Sequence, residues 1–258
     1  MTFSLGPRAA SAGYRLAAFE RIGSTNAEAL ARAREGERGP VWFVTSEQTA
    51  GRGRRHRPWI APRGNLACSV LEVMDVSPSV AATLGFAAGL ALLAALRAAE
   101  SDKMEFALKW PNDVLADGKK LAGILLEAEA VGDRLAVVVG IGTNVIAAPE
   151  GTPATSLRTL GIELEAGQLF ASLSDAWTEF RGIWDEGRGF AEIRQRWLQR
   201  AAGLGRPVSI LSGSSTVTGT FDTIDETGCM IVRTSDGGRI PISAGDVYFG
   251  AAASAGAA

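Results

Sequence analysis

Two runs, Lys120 to Glu129 and Arg134 to Val145, flank the tripeptide Val131-Gly132-Asp133. Strand-like segments on either side of a Gly-Asp turn make a hairpin, and so short a connection forces the strands to be antiparallel neighbours. That unit argues against a doubly wound parallel sheet. Around it, VWFVTSEQ (41–48), NLACSVLEV (65–73) and FALKW (106–110) also read as strands, the last ended by Pro111-Asn112-Asp113. Helices intervene: Ser24-Thr25-Asn26 caps AEALARARE, and Ser77-Pro78 opens an apolar helix over 78–99. Strands outnumber helices, so the expected class is α+β, with a mixed, largely antiparallel sheet flanked by helices.

Residues 166–202 read as two helices, ending at Gly203. After Gly205-Arg206-Pro207 come short strands (VSILS, STVTGTFDTID, GCMIVRT, RIPIS, DVYFG) separated by turn residues, the pattern of a small β-barrel. The expected organisation is a loose arm over 1–13, a catalytic domain over 14–204, a C-terminal domain over 205–250 and a disordered tail over 251–258. The tail holds only Ala, Ser and Gly.

A formal net charge of −2 argues against a dedicated nucleic-acid binder. The two cysteines, Cys68 and Cys229, form no CxxC pair, and His56 is the single histidine. Neither a zinc site, a disulfide framework nor a histidine-based triad is implied. The first residues lack the pattern of a signal peptide, and the uncharged stretch 78–96 reads as a core helix rather than a membrane span. The expected compartment is the cytoplasm. Of 26 basic residues only four are lysine (Lys103, Lys109, Lys119 and Lys120), so each lysine asks for a reason.

Five segments carry chemistry. Gly51-Arg52-Gly53-Arg54-Arg55-His56-Arg57 puts four arginines in seven positions, which repel unless anions sit between them. Gly51 and Gly53 permit close backbone approach, and arginine forks suit phosphate or carboxylate. The run reads equally as a solvated basic loop or an RNA contact. Lys109-Trp110-Pro111-Asn112-Asp113 brings a lysine, an amide and a carboxylate to a strand end, where sites are built, although Pro-Asn-Asp is also plain turn chemistry. Lys120 begins a strand and, on simple alternation, shares the core face with Ala122, Ile124 and Leu126. There it needs an anionic partner, or it snorkels to solvent. Val139-Gly140-Ile141-Gly142-Thr143-Asn144 leaves one strand face bare, a floor for a slender ligand or a crossing point for another backbone. Ser24, Thr25 and Asn26 cap a helix or ring a polar head group.

Together, and in this order, these segments resemble the biotin protein ligases. The glycine-arginine loop, the Lys-Trp-Pro-Asn-Asp turn, the strand Lys120-Leu121-Ala122-Gly123-Ile124-Leu125 and the Gly-x-Gly-x-Asn strand are all present. The resemblance runs from about 14 to 250. It implies a sheet related to class II aminoacyl-tRNA synthetases and an SH3-like C-terminal barrel. It implies attachment of biotin, through biotinyl-AMP and with ATP and Mg2+, to a lysine of a biotin carboxyl carrier protein. Ser24, Thr25 and Gln48, with Asn26 beside them, match groups that hold the ureido ring. Gly51, Arg52, Gly53 and Arg54 match the loop over biotin and its adenylate, with Gly123, Gly140 and Gly142 beneath. Lys120 matches the lysine at the reacting carboxylate. Lys109, Asn112, Asp113 and Asn144 match positions associated with nucleotide, magnesium or the incoming amine. Arg54, Lys120 and Asp113 are the expected catalytic groups. His56 stands where the family usually has glycine, and Ala67 where an aromatic is common. No segment the size of a DNA-binding domain precedes the first motif, so a ligase without a DNA partner is expected. Monomer and homodimer both remain open. The rival expectations are a lipoate or octanoate ligase or transferase of the same fold and, from another class, a nucleic-acid-binding module using 51–57.

Overall fold

The computed structural model describes residues 2–99, 104–213 and 215–249. The expected hairpin is its centre: β6 (Lys119–Val131) and β7 (Arg134–Thr143) run antiparallel, Val131 opposite Arg134. Five more strands complete the sheet: β1 (Arg15–Phe19), β2 (Val41–Thr45), β3 (Leu66–Met74), β4 (Phe106–Lys109) and β5 (Asp113–Ala116), in the order β1-β2-β3-β7-β6-β5-β4. Among the described strands only β1 and β2 pair in parallel; the sheet is mixed and largely antiparallel, as expected. β1 and β5 were not read from the sequence.

The sheet's two faces carry unequal cores. On one face α2 (Thr25–Arg34) lays Ala29, Leu30 and Ala33 over Val41, Phe43, Leu71, Ala136 and Val138. The other face carries the large core. There α3 (Pro78–Ala82), α4 (Leu84–Ala99), α5 (Ala166–Trp184) and α6 (Phe190–Leu198) cover Trp42, Val70, Val139 and Ile141. Trp42 meets the edges of Phe170 and Trp177 at centroid distances of 5.5 and 6.1 Å. All three rings are fully buried, and truncating Trp177 to alanine would cost about 3–5 kcal/mol.

The helix expected over 78–99 is broken at Thr83 into α3 and α4. Thr83 Oγ1 turns back to Val80 O and also accepts from Trp184 Nε1 at 2.7 Å. The span is apolar enough to cross a membrane, but 72% of its most apolar window is buried, and it serves as the core helix. The expectation of a loose arm is corrected. Residues Pro7–Ser11 form α1, Ala9 is fully buried, and Gly6 N and Ala9 N donate to Ser174 Oγ and Asp175 Oδ1 of α5. The expected tail over 251–258 lies outside the described residues.

The C-terminal strands β8 (Pro207–Ser212), β9 (Ser215–Ile224), β10 (Met230–Arg233), β11 (Arg239–Ile242) and β12 (Asp246–Phe249) form an antiparallel sheet, order β11-β10-β9-β8-β12. Its 225–229 turn abuts the catalytic domain: Trp110 Nε1, in the turn after β4, donates to Gly228 O at 3.0 Å, and Gly228 lies near Phe86 of α4 and Phe190 of α6.

Candidate active site

A cavity of about 390 Å3 opens on the α2 face, beyond the end of the small core. Its position follows from register. Ala67, Gly142 and Gly123 stand abreast on β3, β7 and β6, and Ser69, Gly140 and Leu125 form the next row. Missing side chains at the glycines leave the room. A Cβ on Gly140 would overlap Asn26 Oδ1, and one on Gly142 would overlap the Trp59 indole. The strand face lacks side chains of its own, as the sequence implied, but the room above it is taken by Asn26 over Gly140 and by the Trp59 indole over Gly142.

One end of the cavity is a neutral polar nest. Ser24 caps α2, its Oγ accepting from Ala27 N at 3.3 Å. Gln48 Oε1 accepts from Thr25 N at 2.8 Å and Thr25 Oγ1 at 3.2 Å. Ser69 Oγ lies 2.7 Å from Thr25 Oγ1 and 2.6 Å from Asn26 Oδ1. Asn26 Nδ2 donates to Glu127 Oε2 at 2.8 Å and to Leu125 O at 3.2 Å. These groups satisfy one another at fixed spacings, which presents a ligand with a pre-set pattern of donors and acceptors.

The other end is cationic. Lys120 Nζ lies 2.6 Å from Asp113 Oδ1 and 5.6 Å from the centroid of Trp59. Arg54 Nη1 donates to Asn112 Oδ1 at 3.3 Å, and Asn112 Nδ2 to Ile124 O at 2.7 Å. Burial pushes the Arg54 guanidinium below the ordinary arginine range, with Arg55 adding repulsion. Asn144 Oδ1 is buried and unpartnered, and Asp113 Oδ1 takes no well-angled hydrogen bond despite its ion pair. Unsatisfied acceptors at a cavity wall are donor-seeking or cation-seeking positions.

The expected face of Lys120 is corrected. Leu115 pairs with Lys120 while Val114 pairs with Ala122, so Leu121 is a bulge residue. The extra residue turns Lys120 from the Ala122 and Ile124 face onto the Gly123 face. A Cβ on Gly123 would stand 3.5 Å from Lys120 Nζ.

Three of the four arginines of 51–57 find anions, and these are the protein's own. Arg52 Nη2 reaches Glu127 Oε1 and Oε2 at 3.0 and 3.1 Å. Arg55 Nη1 and Arg57 Nη2 converge on one oxygen, Asp246 Oδ2, at 2.9 and 2.6 Å. Between them Arg55 and His56 adopt left-handed backbone (φ 56° and 58°), which costs roughly 1–2 kcal/mol per residue outside glycine. The position where a glycine was expected thus keeps a glycine-like conformation.

Of the expected residues, Ser24, Thr25, Asn26, Gln48, Arg52, Gly53 and Arg54 line the cavity, as do Asn112, Asp113, Lys120, Gly123, Gly140, Gly142 and Asn144. Gly51 and Lys109 lie just outside it. Gly51 O accepts from Trp59 N at 2.9 Å, and Lys109 Nζ stands 5.6 Å from the Phe249 ring. Sequence reasoning missed Trp59, Ser69, Glu127 and Asp246. Only Trp59 had a signal, its place directly after the basic loop. Cys68 is sealed beneath the floor, and burial pushes its thiol up, away from reactivity.

A neutral hydrogen-bonding nest, a flat floor and a cationic far end fit a slender molecule with a polar head and a carboxylate tail. The tail would be activated where cations converge. Such an arrangement suits an acyl-activating ligase, and comparison with known proteins points to that class of protein. The biotin/lipoate A/B protein ligase family matches residues 18–144, and the biotin protein ligase C-terminal domain matches 203–250. A biotin–[acetyl-CoA-carboxylase] ligase of Paracoccus denitrificans is 41% identical over 239 residues, covering 89% of this chain and 98% of that protein. Its counterpart in Mycobacterium tuberculosis is 38% identical, covering 92% and 90%. The solved biotin protein ligase from Aquifex aeolicus in complex with biotin and ATP superposes with a TM-score of 0.73 at 26% identity, covering 92% of this chain and 99% of that one. The chain belongs to the biotin protein ligase family.

Proposed function

We propose that the protein joins biotin to a lysine of a biotin carboxyl carrier domain, using ATP and passing through biotinyl-AMP. The observation that carries this reading is the pairing of the neutral nest at Thr25, Asn26 and Gln48 with the cationic end at Arg54 and Lys120 across a glycine floor.

In the first step a biotin carboxylate oxygen attacks the α-phosphorus of ATP, and the bond to the β-phosphate breaks, releasing pyrophosphate. Two anions must meet, and charge grows on the phosphoryl oxygens. Lys120 and Arg54 stand where they offset that charge. In the second step the acceptor amine attacks the acyl carbon, AMP leaves, and the amine loses a proton. Asp113, beside Lys120, is the group placed to orient the amine and take that proton. No enzyme-linked intermediate is required, consistent with a sealed Cys68.

Magnesium needs one or two carboxylates and the substrate's phosphates. The Asn144 amide oxygen, buried without a partner, and the Asp113 carboxylate would supply protein oxygens at the cavity wall, and the ion would neutralise phosphate charge. Among the described residues no cluster of three or more acidic, His or Cys side chains forms a metal site. We place the reaction in the cytoplasm, in line with two free thiols, Cys68 and Cys229.

ATP–pyrophosphate exchange with magnesium, comparing biotin, lipoate and octanoate, tests the reading. Exchange with biotin alone is expected. Exchange with lipoate or octanoate instead would overturn the substrate, and no exchange with any acid by folded protein would overturn the activity.

A further inference from the structure

The arginine loop is fastened from three places. Arg52 is tied to Glu127 of β6, and Arg54 to Asn112 in the turn between β4 and β5. The third tie comes from the C-terminal sheet: Asp246, the first residue of β12, takes both Arg55 and Arg57 on one carboxylate oxygen. The intervening turn is tight, with Gly53 N donating to Arg57 O at 2.7 Å and Arg57 N to Arg54 O at 3.3 Å. Two consecutive left-handed residues, Arg55 and His56, sit inside it. Four guanidinium groups and a left-handed turn favour opening. A single carboxylate between two of those guanidinium groups opposes it.

We propose that Asp246 is a positioning residue of the ligase reaction. It acts as a latch through which the C-terminal sheet holds the arginine loop shut and so sets how well the site retains its acyl-adenylate. Asp246 lines the cavity wall and turns its Oδ2 to Arg55 and Arg57. It thereby divides the loop's cations. Arg55 and Arg57 are engaged by Asp246, Arg57 lining the cavity as well, while Arg52 and Arg54 are held by Glu127 and Asn112. The C-terminal sheet is then part of the closed site, since its displacement would take the latch with it.

The inference rests on the adenylate-forming reading above, and the two fail differently. If the wild-type protein forms no biotinyl-AMP, that reading falls. If it forms biotinyl-AMP and the latch variants retain it as well as wild type does, the latch falls alone.

The experiment follows release of labelled biotinyl-AMP from preloaded full-length enzyme by rapid filtration, with melting temperature as a control for folding. Asp246→Asn keeps the shape and removes the charge. Release is expected to be about fivefold faster, the ratio appropriate to two partly exposed ion pairs. Asp246→Glu is expected to recover most of the retention. Arg57→Gln probes the same latch from the loop, without altering β12. It should also speed release, and the double variant should be no leakier than the worse single one, because both remove one interaction. Added salt should speed release from wild type more steeply than from Asp246→Asn, which has already lost the two pairs to Asp246, since exposed pairs are screened. A merely structural role would give neither the non-additivity nor the weaker salt response of the variant. Unchanged release from folded Asp246→Asn and Arg57→Gln would overturn the proposal, as would fully additive effects insensitive to salt.

Discussion

Lys120 Nζ stands 2.6 Å from Asp113 Oδ1 because the bulge at Leu121 turns Lys120 out of the core face. The pair sits at the cationic end of the cavity, with Trp59 above it. Lys120→Ala is expected to slow biotin-dependent ATP–pyrophosphate exchange by about 100- to 1,000-fold, the usual loss on removing one donor at developing charge. Its circular dichroism should match wild type. Asp113→Asn is expected to slow transfer from biotinyl-AMP to a carrier domain more than exchange. Equal losses in both assays would remove Asp113 from the second step.

Gly140 has no tolerance for a methyl group. A Cβ there would displace Asn26 Oδ1 and with it the contact to Ser69. Gly140→Ala should lower biotin affinity by about tenfold or more, since the nest's polar groups would lose their partners. Titration calorimetry reads this directly, and an unchanged dissociation constant would place the head group elsewhere.

Glu127 joins two parts of the site, accepting from Asn26 of the nest and from Arg52 of the loop. Glu127→Gln is expected to weaken biotin binding by roughly tenfold, because a half-buried Arg52 then loses its carboxylate. The melting temperature should fall by only a few degrees. A variant with full affinity would show that the tie between loop and nest is dispensable.

Lys109 offers a pH signature. Burial pushes its ammonium below the ordinary lysine range, Lys120 adding to the push and Asp113 and Asp246 opposing it. A lowered pKa means the proton is lost at lower pH than an exposed lysine would lose it. If Lys109 pairs with nucleotide phosphate, the KM for ATP should rise on the alkaline side before the usual lysine range of about 10. Lys109→Arg should move that limb upward. A KM flat across the range in both proteins would exclude the pairing.

Much of this was legible in the residues. The Gly132-Asp133 turn fixed the central hairpin, and the alternating Gly140 and Gly142 foretold a strand face without side chains of its own, which Asn26 and Trp59 cover. The motif residues 109–113 and 51–57 do converge, although they are distant in sequence. What was not legible depends on register and on long-range packing. The two-for-one pairing at Leu121 reversed the face read for Lys120, since alternation assumes an unbroken ladder. Glu127 has no local signal and gains its role only where β6 meets α2 and the arginine loop. Asp246 lies in a segment with no local motif and gains meaning only because the C-terminal sheet packs beside the loop. α1 was read as loose because a five-residue helix carries little signal of its own, and its docking partners are on α5.

The unequal cores on the two faces of the sheet have an energetic consequence. Ser24, Thr25 and Asn26 ride on α2, which is moored by a small cluster, whereas α4 and α5 are anchored in the large one. Cooperative opening should therefore begin on the side that meets substrate, and amide protons of α2 should exchange with solvent before those of α5. A bound ligand that touches the head of α2 would then act as a missing piece of that thinner layer, slowing its exchange by mass action and making occupancy measurable as local protection.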